Sequence, residues 1–144
     1  MTRRGERGSA VVELVLLGLP LLAPLVYLAV ALSSAQQARA GVTEAARQAG
    51  RAYVTGTAAT APARAAAAAR ATLADRGVAA APEIRYAAAG SGCATASRSP
   101  WPLRPGAVFA VCVTAAVDLP GVPGGPRPLT GRFLVRADDH RDYG

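Results

Sequence analysis

Residues 14–32 form an almost wholly apolar run, and no charged residue occurs from there until Arg39. Read as a helix rising about 1.5 Å per residue, the run spans the roughly 30 Å of a bilayer's hydrocarbon core. Beyond it the pattern becomes one-sided. Ala38, Val42, Ala45, Ala49 and Tyr53 recur every three or four positions, while Glu44, Arg47 and Arg51 take another face. Glu44 and Arg47 are spaced to pair weakly. One helix of about 40 residues is expected, its outer half lying on a folded domain. Gly56 and Pro62 break that pattern. The alanine-rich stretch 63–76 reads as a second, closely packed helix rather than a linker, with Gly77 as its stop.

From Pro82 the period falls to two. Ile84 and Tyr86 alternate with Glu83 and Arg85 in a first short strand. Residues 107–117 form the clearest strand, with Phe109, Val111, Val113 and Val117 on one face and Cys112 and Thr114 on the other. Residues 129–137 form a third, with Phe133 and Val135 opposite Arg132, Leu134 and Arg136. Residues 87–105 are a loop rich in Gly, Ser and Pro that carries Cys93 and Trp101, and residues 119–128 are turn chemistry. Residues 138–144 read as a solvated tail. The expected fold class is α+β, a long membrane-spanning helix leading into a small domain with a second helix and a short antiparallel sheet.

Ahead of the apolar run stand Arg3, Arg4, Arg7 and Gly8, and at its head stands the carboxylate of Glu13. Three readings compete. A secretory signal needs an apolar core of about 7 to 15 residues before a small-residue cleavage site, which is shorter than this run. A plain membrane anchor fits the length. It does not explain Glu13, because an ionised group in a spanning helix costs about 2.5 to 3.5 kcal/mol at the centre and less near the end.

A basic leader, a glycine, an acid five residues later and a membrane-length helix together resemble the processing signal of type IV prepilins. In size and element order the chain resembles a TadE-like minor pilin, or pseudopilin, of the tight-adherence pilus. The resemblance is specific over residues 3–32 and one of pattern beyond. It implies a leader over 1–8, a transmembrane helix over 9–34 and an extracytoplasmic pilin-like domain over 35–144. It implies cutting after Gly8 by a prepilin peptidase, which frees the amine of Ser9 to pair with Glu13 of a neighbouring subunit. The implied partners are the major pilin, other pseudopilins and an inner-membrane assembly platform. Leu14 stands where major pilins of this system often carry an aromatic residue, which implies a minor subunit. Arg3, Arg4 and Arg7 place the leader in the cytoplasm, although Arg39, Arg47 and Arg51 nearly balance the count across the helix. Pro20 and Pro24, four apart on one helix face, each remove a backbone donor. Two readings stand for the resulting kink, a tolerated bend or a segment that loosens between bilayer and filament.

Composition adds less. The net charge is +7 and every basic residue is Arg. This fits either a compositional bias or an anionic partner. Without the first eight residues, thirteen Arg face eight acids, a net of +5. A membrane-tethered, Arg-rich module for DNA uptake or another anionic ligand is therefore the alternative function, and a steep salt dependence of nucleic-acid affinity would mark it. Nucleic acid is not the expected partner. Cys93 and Cys112 form one disulfide in an oxidising compartment, or two free thiols otherwise. No C-x-x-C motif occurs, and the single histidine, His140, leaves a zinc site short of ligands, so no metal or cofactor is expected. His140 beside Asp138, Asp139 and Asp142 reads as solvated charge. Trp101 fits a partner contact or a small satellite core. No nucleophile elbow, phosphate loop or paired carboxylate points to an enzyme.

Overall fold

The computed structural model describes residues 12, 14–119, 122 and 124–143. A π-type turn, Leu14–Gly18, opens directly into helix α1, Leu19–Val54. Together they make 41 helical residues. Pro20 sits in the first turn of α1, and the helix continues through Pro24. A π turn bonds each carbonyl one residue further on than an α turn does.

The outer half of α1 buries Gly41, Val42, Ala45, Ala46, Ala49, Gly50 and Tyr53, the face expected from the spacing. Most of these side chains are small, so the helix backbone comes close to whatever covers it. Helix α2, Ala61–Ala74, begins two residues earlier than expected and takes Pro62 into its first turn rather than being broken by it. Ala61, Ala65, Ala69 and Leu73 recur every four residues and are its buried ridge. After it Gly77 turns left-handed, with φ 73, and the Val78 amide returns to the Leu73 carbonyl at 2.9 Å.

Strands β1, Glu83–Ala88, β2, Val108–Val117, and β3, Arg127–Arg136, form one antiparallel sheet in that order. The rows Tyr86–Val111–Phe133 and Ile84–Val113–Gly131 face α1. Large side chains gather at one end of this core. The Tyr53 ring lies 4.8 Å from Tyr86 and 5.4 Å from Phe109, and Trp101 stacks on Phe109 at 5.8 Å. Fully burying a large apolar side chain is worth about 1.5 to 3 kcal/mol, whereas an alanine ridge contributes far less per residue. The aromatic end therefore supplies much of the apolar stabilisation, and the alanine faces set how closely the layers approach. Trp101 belongs to this core.

One expectation needs correction. Residues 138–144 are not simply a solvated tail, because Tyr143 is buried. Its hydroxyl accepts from the Asp138 amide at 2.7 Å, and its carbonyl accepts from the Ala58 amide at 3.2 Å. On the outer face of β2, Ala110 and Cys112 are buried. Cys112 is joined there to Cys93, in the loop between β1 and β2.

Candidate functional site

The inner half of α1 and the turn before it have no protein cover. Leu14 and Leu21 are 71% exposed, and Leu16, Leu17, Leu22, Leu25, Tyr27 and Leu28 are all exposed as well. The most apolar window has a mean hydropathy of 2.4 and none of it is buried. A helix that is apolar all round and bare of protein must be covered by lipid or by other helices. By length and composition it is able to cross a membrane.

Polar chemistry resumes at Ser33. The Ser34 hydroxyl donates to the Ala31 carbonyl at 2.9 Å, and Gln37 Nε2 donates to the Ser33 hydroxyl at 3.2 Å. These side chains satisfy themselves locally, as groups leaving an apolar medium must. Further out Glu44 lies 3.6 Å from Arg47 and accepts from Gln48 at 2.7 Å, while the Arg47 guanidinium sits 5.6 Å over the Phe133 ring.

The sequence-derived site falls largely outside this region. Arg3, Arg4, Arg7, Gly8, Ser9 and Glu13 lie outside the described residues. Pro20 and Pro24 are on the bare stretch of α1. His140 is exposed, with Nδ1 3.8 Å from the Asp138 carboxylate, and no group of three metal-ligating side chains occurs among the described residues.

The loop between β1 and β2 is held at several points. Cys93 and Cys112 are disulfide-bonded with Cα atoms 5.8 Å apart. The Tyr53 hydroxyl donates to the Trp101 carbonyl at 2.7 Å, and burial raises the Tyr53 pKa. Glu83 accepts from Arg98 at 2.6 Å and from Arg85 at 2.9 Å. Those two hydrogen bonds, Arg98's first, hold its carboxyl below the usual carboxylate range. Arg132 reaches across to the Ala89 carbonyl at 2.6 Å. Most of these fastenings join residues far apart in sequence; the cysteine pair was one of two readings open in the sequence, whereas the other long-range bonds and the seat of Tyr143 were not legible in local pattern. A glycine inside a strand was the one available signal for the close approach at Gly131.

Residues 8–51 match the model of a protein family described as TadE-like protein. The match starts at Gly8 and ends within the buried half of α1, so α2 and the sheet lie beyond it. No curated protein and no solved structure matches the chain. The matched segment contains the bare apolar helix, which fits a pilus-associated membrane protein. Over that N-terminal segment the chain is similar to TadE-like proteins.

Proposed function

We propose that this protein is a structural minor pilin of a tight-adherence pilus, anchored in the cytoplasmic membrane by α1 with its domain outside. A prepilin peptidase cuts after Gly8. The freed Ser9 amine then pairs with the Glu13 carboxylate of a neighbouring subunit as their apolar helices bundle. Two charges in an apolar bundle attract strongly when paired and cost several kcal/mol when not, so the pair selects one axial register. Pro20 and Pro24 weaken backbone bonding where the helix passes from bilayer to filament. Arg3, Arg4 and Arg7 keep the leader on the cytoplasmic side. The partners are the peptidase, the major pilin, other pseudopilins and an inner-membrane assembly platform. The role is structural rather than catalytic.

The observation that carries this reading is the extent of the family match. It begins at Gly8, where the cut is proposed, and takes in Glu13 and the whole uncovered helix.

Processing and assembly are tested together. Intact mass or N-terminal sequencing of protein extracted from membranes is expected to show a chain starting at Ser9. Glu13→Ala and Glu13→Gln are expected to be inserted and cut, yet to lose at least about tenfold in co-purification with partner pilins, roughly 1.4 kcal/mol. Gly8→Ala is expected to accumulate as uncut precursor. A mature start near Leu32 or Gln36 would identify a secretory signal instead. Normal association of both Glu13 variants would remove the charge pair.

A further inference from the structure

Two hollows on α1 run into one another. The lower is a shallow, open apolar trough lined by α1 alone, along Leu25, Val26, Ala29 and Val30, ending at Ser33, Ser34 and Gln37. The upper, about 220 Å³, shares Ser34 and Gln37 and continues to Arg76, Val78 and Asp118 where the domain meets α1. Polarity changes once along this seam, from hydrocarbon below to charge above. Leu25 to Gln37 spans about 18 Å of helix, close to the roughly 15 Å depth of one leaflet's hydrocarbon.

The upper end is equipped with both signs of charge. The Arg76 side chain lies across Gly41 of α1, 3.7 Å from where a Cβ there would stand, an ordinary contact distance. Among the described residues no hydrogen bond or ion pair engages its exposed guanidinium. Asp118 lines the same cleft. A phosphate alone would suit Arg76 but be repelled by Asp118. A headgroup with an amine beside its phosphate satisfies both. Arg76 donates to the phosphate oxygens, and Asp118 accepts from the ammonium.

We infer that this seam binds one phospholipid of the ethanolamine type, with an acyl chain in the Leu25–Val30 trough and its headgroup between Arg76 and Asp118. The inference rests on the reading of α1 as a membrane helix. The lipid would act as a wedge that sets how the domain stands on the bilayer.

The test uses the full chain, reconstituted in nanodiscs of phosphatidylethanolamine, phosphatidylglycerol or phosphatidylcholine and released into detergent for native mass spectrometry. One phosphatidylethanolamine is expected to stay bound, at least fivefold more often than either of the other lipids. Arg76→Ala is expected to abolish retention. Asp118→Asn is expected to erase the preference for ethanolamine over glycerol headgroups while keeping a bound lipid. Circular dichroism and carbonate-resistant membrane association, measured on each variant, are expected to be unchanged. Undiminished retention in Arg76→Ala, or a headgroup preference indifferent to Asp118→Asn, would overturn the site. So would loss of crosslinking to partner pilins by these variants with lipid retention intact, which would assign the seam to a neighbouring helix. Wild-type protein extracted by carbonate would overturn the membrane reading itself, a result separate from any headgroup preference.

Discussion

Gly131 is the residue on which the helix–sheet contact closes. It sits in β3 opposite Val113, and a Cβ there would overlap the carbonyl of Val42 and the amide nitrogen of Thr43. Those are backbone atoms, so no rotamer change relieves the clash and α1 must move off the sheet. Gly131→Ala is expected to lower stability by about 1 to 3 kcal/mol, the usual cost of overfilling a tight contact. Denaturant melts of the detergent-solubilised protein read this directly, and an unchanged midpoint would mean that α1 has slack to yield. Gly50 shows the same economy from the helix side, with a Cβ there standing 3.1 Å from the Phe133 ring. Small residues at these crossings are required by distance rather than by helix or strand propensity.

At the scale of elements, the loop between β1 and β2 behaves as a strap across the outer face of the sheet. Its disulfide spans a sequence separation of 19. In the chain-entropy model a crosslink of that size contributes about 3 kcal/mol. Cys93→Ser and Cys112→Ser are each expected to cost about 2 to 4 kcal/mol and to expose the strap to protease before the rest of the domain. Peptide maps of protein taken from its own envelope, with and without reductant, should differ by one crosslinked pair. Two alkylatable thiols in that material would refute the bond. Loss of the disulfide should not free the strap completely, because Tyr53 still holds the Trp101 carbonyl and Glu83 still holds Arg98.

Over the whole molecule the C-terminal residues close the end of the domain furthest from the bare helix. Arg141 donates to the Thr55 carbonyl at 2.7 Å and lies 5.8 Å from the Tyr143 ring centre. Tyr143 in turn holds the Ala58 amide, so both residues fasten the turn between α1 and α2. Tyr143→Ala is expected to destabilise the domain by about 2 to 4 kcal/mol through lost burial and a vacated cavity. Amide exchange should rise first at residues 55–60, and protection unchanged there would show the tail to be a passive passenger. The molecule is thus built in two regimes. One half of α1 is bare and awaits an apolar medium, while the other half is the centre of a strapped and tail-locked domain.

Much of this was legible in local sequence because its causes are local. The uncharged run before Arg39, the repeat from Ala38 to Tyr53 and the alternation in β2 specify a membrane-length helix, a buried helix face and a central strand. Hydrophobic periodicity needs no knowledge of the partner surface. The proposal for Gly8, Glu13 and the basic leader rests in the same way on spacing along one chain. Other features depended on which distant segments meet. Pro62 broke the helical pattern in sequence, yet the first turn of α2 accommodates it because no N–H is needed there. The polar tail looked solvated, and only the turn at Ala58 offers Tyr143 a place to be buried. At Gly131 only the fold places the Val42 carbonyl against the strand. The seam joining Leu25 to Arg76 and Asp118 brings α1 together with the segments that follow α2 and β2. The sequence by itself determined the elements and their apolar faces. The tertiary structure alone decided the close approaches, the straps and the groove, because those depend on distances between residues that the chain separates.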